Sequence, residues 1–252
     1  MVEDKMCGRY AATLPPEMMT ELFRLLNTLA VVPRYNIAPT QPVAAIWEDH
    51  GRREGHFARW GLVPRWVKDP REFPLLVNAR AESMRDKPAF RDALKHGRCI
   101  VPASGYYEWH TGPDKKKRPY YITRADGRPM ALAGLYATWS GPEGEEVDSV
   151  ATITVAANPQ LAVIHDRMPA ILLTDAAVDA WLDVRDVRAE EAARLALPLE
   201  NGVLKFHPVS TRVNSARDDD PGLIEEVTEE KPEPVMVKPK KVAGGGGQMD
   251  LF

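Results

Sequence analysis

Between residues 98 and 157 the chain repeats one pattern. Short runs rich in β-branched and aromatic residues, at 98–102, 105–109, 119–124, 130–139 and 148–157, are cut by turns at Gly112-Pro113-Asp114, Asp126-Gly127 and Gly141–Gly144. Strands joined by connections this short pair antiparallel. The other elements flank this meander. A helix is predicted to open at Pro15-Pro16 and to turn Met18, Leu22, Leu25, Leu26 and Leu29 inward, and residues 43–48 and 56–62 read as strands around an Asp49–Gly55 turn. Residues 87–96 read as a short helix ending at Gly97, 174–183 (with Thr174 as N-cap) and 187–197 as helices, and 203–209 as a last strand. The order gives an α+β fold with mostly antiparallel pairing, in one domain over residues 7–224.

From about residue 225 the composition changes to Glu-Glu-Lys-Pro-Glu-Pro, Lys-Pro-Lys-Lys and four glycines, too polar to bury a core, and 225–252 is expected to be a flexible tail. The net charge of −3 argues against a nucleic-acid binder, but it is unevenly spread. Residues 218–252 carry nine Asp/Glu against four Lys, a net −5, which leaves +2 for residues 1–217. The first six residues lack the apolar stretch of a signal peptide, and no apolar run approaches a membrane span, so a cytoplasmic protein without membrane contact is expected. Cys7 and Cys99 read as free thiols, and the Cys and His spacings indicate no metal site and no cofactor.

Several clusters place reactive groups among small or rigid residues. Met6-Cys7-Gly8-Arg9-Tyr10 sets a thiol beside an arginine, a setting that favours thiolate, while a small buried hydrophobe is the commoner fate of a free cysteine. In Val77-Asn78-Ala79-Arg80-Ala81-Glu82, Asn78 and Glu82 can serve a site or simply close turns. Gly105-Tyr106-Tyr107-Glu108-Trp109 puts a carboxylate among aromatics, where desolvation raises its pKa, yet strand parity alone leaves its face undecided. His165-Asp166-Arg167-Met168-Pro169 offers an acid/base histidine in a loop closed by a rigid proline.

Together with Tyr35-Asn36-Ile37-Ala38-Pro39-Thr40, Trp60-Gly61-Leu62-Val63-Pro64 and His207-Pro208-Val209-Ser210, these segments resemble, in order, the motifs of the SRAP (SOS response-associated peptidase) family over about residues 7–217. The resemblance implies a mostly antiparallel, barrel-like core flanked by helices. It also implies a monomer that bonds covalently to abasic sites in single-stranded DNA, through a cysteine made N-terminal by methionine removal. Carried onto this chain, it makes Cys7 the nucleophile, with Glu108 and His165 moving protons and Asn78 orienting the sugar or the amine. Arg9, Arg80 and Arg167 would hold phosphates, Trp66 would stack on a base or wedge the strand, and Thr154 would line the pocket. Residues 1–6 depart from this pattern, and they are expected to be untranslated, with initiation at Met6, or removed. A cysteine peptidase using Cys7 and His165 is the rival reading, and a non-covalent reader of modified or single-stranded DNA a third. At the C-terminus, Gln248-Met249-Asp250-Leu251-Phe252 resembles the bacterial sliding-clamp motif, which makes Gln248, Leu251 and Phe252 the expected clamp contacts of a bacterial protein.

Overall fold

The computed structural model describes residues 7–228. The expected leader at 1–6 and the clamp-like ending with Gln248, Leu251 and Phe252 lie outside the described residues. In chain order the elements are β1 (Tyr10–Ala12), α1 (Pro16–Phe23), β2 (Arg34–Ile37), β3 (Pro42–Asp49), β4 (Arg52–Trp60), β5 (Asn78–Arg80), α2 (Pro88–His96) and β6 (Arg98–Ala103). Then follow β7 (Gly105–Thr111), β8 (Lys117–Arg124), β9 (Met130–Ser140), β10 (Glu146–Ala156), β11 (Arg167–Pro169), β12 (Ile171–Leu172), α3 (Asp175–Leu182), α4 (Ala189–Ala192) and β13 (Leu204–Pro208).

The strands form two sheets. In the larger, β10 pairs β4, β4 pairs β3, β3 pairs β6, β6 pairs β9 and β9 returns to β10, so five strands close on themselves. Closure explains why the middles of β9 and β10 are buried almost without alternation: one face lines the barrel, and the other lies under helices and loops. The smaller sheet runs β13-β8-β7-β1-β2. Its strand β7 starts at Gly105, where a Cβ would come within 2.7 Å of both the Tyr121 hydroxyl and the Ile122 carbonyl, so only glycine allows this approach of β7 to β8. Pairing is antiparallel as expected, except that β4 and β5 lie parallel to β10.

Several local expectations give way to tertiary contacts. The first helix stops at Phe23, because Arg24 turns left-handed (φ 54°) and the Leu25 N–H reaches back to the Thr20 carbonyl. Its fully buried residues are therefore Met19 and Phe23, with Leu22 half-buried against the core, and Met18 is left 51% exposed. Beyond it, the Asn27 side chain exchanges two 2.8 Å hydrogen bonds with the backbone of Gly55, and this pairs residues 25–27 with β4 instead of extending the helix. The second difference is the β3–β4 turn, which needs only His50 (φ 49°) and Gly51 (φ 74°). Residues 52–55 join the ladder opposite 46–49. Third, Asn78–Arg80 is a short strand beside Thr152–Thr154, not a turn, and the helix expected over 187–197 shrinks to Ala189–Ala192 with a tight turn over Ala193–Leu195. Thr174 does cap α3, accepting the Ala177 N–H at 3.1 Å.

One buried cation ties the helices to the barrel. Arg98 at the start of β6 is 1% exposed, and it donates to the carbonyls of Leu94 in α2, of Trp181 at the end of α3, and of Asp183 and Val187 beyond it. These carbonyls at or near helix C-termini carry partial negative charge and lack helical partners, so one guanidinium satisfies both helix ends.

Candidate functional site

The short strand β1 brings the site together. It lies between β2 and β7, with Tyr10 opposite Tyr106, and so carries the preceding residue Cys7 up to the strand that bears Glu108. The Cys7 backbone N–H donates to Glu108 Oε1 at 2.9 Å. Tyr106 and Glu108 share one face of β7, which turns inward, while Tyr107 packs on the other side with Tyr121 and Val213. This settles the face that parity left open, and Glu108 is 2% exposed. Burial pushes its carboxyl up from 4.5 to about 7, against the field of His165 and the hydrogen bonds from Cys7, which pull it down.

Cys7 itself is buried and holds a left-handed φ of 34°, a strained conformation for a residue with a side chain. Its thiol is pushed well above the ordinary range by burial first and by the Glu108 carboxylate second, with Arg167 acting weakly the other way. This corrects the thiolate expected from the adjacent arginine. Arg9 points away, donating to Asn36 Oδ1 at 2.8 Å and to the carbonyls of Val213 and Asn214. Cys99 is fully buried in the barrel core.

On the other side of Cys7, β5 supplies Asn78, whose amide nitrogen lies 3.5 Å from the Cys7 carbonyl and whose carbonyl accepts the Thr152 hydroxyl at 2.6 Å. Thr152 is a member that the sequence reading missed; the signal available was its parity with Thr154 in the otherwise apolar run from Val150 to Ala156. The loop into β11 supplies His165, whose Nδ1 accepts the Arg167 N–H at 3.0 Å. Asp166 Oδ1 is 3.2 Å from the same nitrogen but its side chain is 80% exposed, so the backbone donor sets the ring, with its proton on Nε2. Arg167 grips Glu82 with both terminal nitrogens, at 2.7 and 2.9 Å, and donates to the buried Thr154 carbonyl. Arg80 is exposed on β5 opposite Thr154, while Trp66 stands apart in the loop between β4 and β5, 57% exposed.

Cys7, Glu108, Asn78, His165, Arg167 and Thr154 thus form one neighbourhood, and Arg9 and Trp66 lie outside it. Among the described residues three buried polar side-chain atoms have no hydrogen-bond partner: Tyr10 Oη, Tyr106 Oη and Arg167 Nε. Tyr106 feels the charges of both Cys7 and Glu108, and Arg167 that of Cys7, so unsatisfied capacity collects around the cysteine. No three acidic, histidine or cysteine side chains among the described residues are grouped to hold a metal ion, and no helix there is long and apolar enough to cross a membrane.

Comparison with known proteins places the chain in a family. The family pattern described as SOS response associated peptidase (SRAP) matches residues 6–216. "Abasic site processing protein YoqW" of Bacillus subtilis (strain 168) is 35% identical over 223 residues, 87% of this chain and 99% of that one. "Abasic site processing protein HMCES" of Xenopus tropicalis is 33% identical over 260 residues, covering 86% of this chain and 77% of that one. Among solved structures, a protein from Bacteroides thetaiotaomicron superposes with a TM-score of 0.79 at 25% identity, covering 88% of this chain and all of the other.

Proposed function

Because the chain belongs to the SRAP family, we propose that it processes abasic sites in single-stranded DNA, trapping the ring-opened sugar as a thiazolidine on Cys7 and shielding the lesion during replication. The observation that carries this reading is the 2.9 Å contact between the Cys7 backbone nitrogen and Glu108 Oε1. Once Cys7 is the first residue, that nitrogen is an α-amine with a buried carboxylate beside it, placed to take its proton.

The chemistry balances without an oxidant or metal. The neutral amine adds to the C1 aldehyde of the opened sugar, and the carbinolamine loses water to give a Schiff base. The thiol then adds across the C=N bond, its sulfur to carbon and its proton to nitrogen, closing a five-membered ring. Burial holds the thiol protonated, so its proton must leave as sulfur attacks, and the Glu108 carboxylate hydrogen-bonded to Cys7 is placed to carry it toward the imine nitrogen. Asn78 positions the Cys7 backbone, and His165 Nε2 offers a second proton carrier. A free N-terminal residue has no φ, so the strain at Cys7 disappears when nothing precedes it.

The same geometry weighs against the peptidase reading. A cysteine peptidase raises its thiolate with a neighbouring imidazole, whereas Cys7 is hydrogen-bonded to a carboxylate that disfavours thiolate. Arg80 and Arg167 remain the phosphate-holding candidates, Thr154 part of the pocket, and Arg9 a brace between β1 and the 213–214 turn. Gln248, Leu251 and Phe252 remain the proposed clamp contacts, and deletion of 248–252 should abolish clamp binding while leaving the DNA adduct intact.

The test is an incubation of protein, shown by intact mass to begin at Cys7, with single-stranded oligonucleotides with and without one abasic site. An adduct that survives denaturation is expected only with the abasic strand, at a rate that rises with pH as Glu108 and the α-amine lose their protons. Protein with a terminal Cys7 that yields no such adduct overturns the proposal.

A further inference from the structure

Tyr106 stands two residues before Glu108 on the same inward face of β7, and it lies opposite Tyr10, three residues along the chain from Cys7. It is 2% exposed, and its hydroxyl has no hydrogen-bond partner. Taking a hydroxyl out of water without a partner costs free energy, and phenylalanine would fill almost the same space without that cost. Packing therefore does not account for the oxygen.

The surroundings of the two orphaned phenols separate them. Tyr10 feels the charge of Arg34. Tyr106 instead feels Cys7 and Glu108, and burial together with these two groups holds its hydroxyl protonated far above the ordinary range. It is a donor with nothing to donate to. The other side-chain donors around Cys7 are engaged: the Asn78 amide meets the Cys7 carbonyl, the Thr152 hydroxyl goes to Asn78, and the terminal nitrogens of Arg167 go to Glu82 and Thr154. A new acceptor arrives only with the substrate. When the Cys7 amine adds to the C1 aldehyde, negative charge develops on the aldehyde oxygen, and a fixed donor in a dry site is worth most at such an atom.

We propose that Tyr106 is a further catalytic residue of the Cys7 centre, its hydroxyl donating a hydrogen bond to the former aldehyde oxygen while the carbinolamine forms and breaks down. The proposal rests on the crosslinking reading. As nitrogen bonds to C1, the carbonyl π pair moves to oxygen, where Tyr106 meets it. The proton shed by nitrogen passes to Glu108 and from there to that oxygen, which leaves as water as the C=N bond forms. Tyr106 keeps its own proton throughout, and it has no part in ring closure, because the oxygen has gone by then.

The experiment follows adduct formation between protein shown by intact mass to begin at Cys7 and a single-stranded oligonucleotide with one abasic site, with timed samples quenched in borohydride to fix any Schiff base. Tyr106→Phe should slow total adduct formation about 10²-fold and keep the parent's pH profile, since the phenol does not titrate. In Cys7→Ser, where ring closure is blocked, adding Tyr106→Phe should slow the trapped Schiff base by the same factor. Tyr10→Phe, which removes the orphaned hydroxyl away from the cysteine, should react at the parent rate. The unfolding temperature of Tyr106→Phe should be unchanged or raised, because an unpartnered hydroxyl has been removed. A lowered unfolding temperature would show that the hydroxyl braces the fold, and would overturn the proposal. Reaction of Tyr106→Phe at the parent rate, or a loss confined to ring closure, overturns it as well while leaving the crosslinking reading intact. A parent protein that forms no adduct removes both.

Discussion

Arg98 and Glu108 are both ionisable side chains with almost no exposure, 1% and 2%, and they meet burial in opposite ways. Arg98 lies between two helix ends and the barrel, and carbonyls of Leu94, Trp181, Asp183 and Val187 take up its donors. Glu108 takes its hydrogen bonds from Cys7, has the unpartnered Tyr106 hydroxyl on its own strand face, and titrates near 7. A buried charge saturated by backbone groups fixes architecture. One left undersaturated keeps the capacity to exchange a proton or receive a ligand.

The largest expected effect is at the reactive residue. Cys7→Ala should give no denaturation-resistant adduct on abasic DNA, while Cys7→Ser, which keeps the amine, should leave only a transient adduct that borohydride can fix; a stable adduct from Cys7→Ala would remove the cysteine from the chemistry. Next, Glu108→Gln should slow adduct formation by about 10²–10⁴-fold and flatten its pH dependence, without lowering the unfolding temperature at alkaline pH. Arg98→Ala should do the reverse. Its loss leaves buried carbonyls without donors, so a destabilisation of about 3–5 kcal/mol is expected in urea unfolding, with an unchanged adduct rate per folded molecule. If Arg98→Ala unfolds normally, or if Glu108→Gln unfolds early, the contrast collapses.

A smaller effect comes from proton linkage. In the folded chain Glu108 holds its proton to about 7, against 4.5 for an ordinary glutamate, so the folded state binds the extra proton between those values. The stability contributed by this raised pKa is fully present below pH 4.5 and is lost as pH rises through 7, about 3 kcal/mol in all. Urea midpoints measured from pH 4 to 8 should show this decline in the parent minus Glu108→Gln difference, and a flat difference would mean that Glu108 is not buried in solution. The smallest effect is at Tyr10, whose orphaned hydroxyl does not feel the cysteine as that of Tyr106 does. Tyr10→Phe should be neutral or stabilising by up to about 1 kcal/mol, and a clear loss of stability would show that the hydroxyl has a partner.

Local physics was readable where local physics rules. The α2 helix lies within a residue of its expected limits because Pro88 suits its first turn and Gly97 ends it, and Thr174 caps α3 as its hydroxyl predicts. The first helix was misjudged because its end depends on Asn27 pairing with Gly55, a partner 28 residues away that no helical spacing reports. The strand at Asn78–Arg80 was missed for the same reason: three residues have too little pattern of their own, and β10 alone makes them a strand.

The sequence by itself supplied the candidates for the site's chemistry: a thiol near the start, a carboxylate among aromatics, a histidine close to a proline, all in the order of one family. It also determined the antiparallel meander that carries them. Only the tertiary structure decided that Glu108 faces inward, that its partner is the nitrogen of Cys7, and that Arg9 serves the frame instead of the thiol. Strand parity states which residues share a face. Which face is buried, and what meets it there, depends on the strand laid alongside, here β1 carrying Cys7.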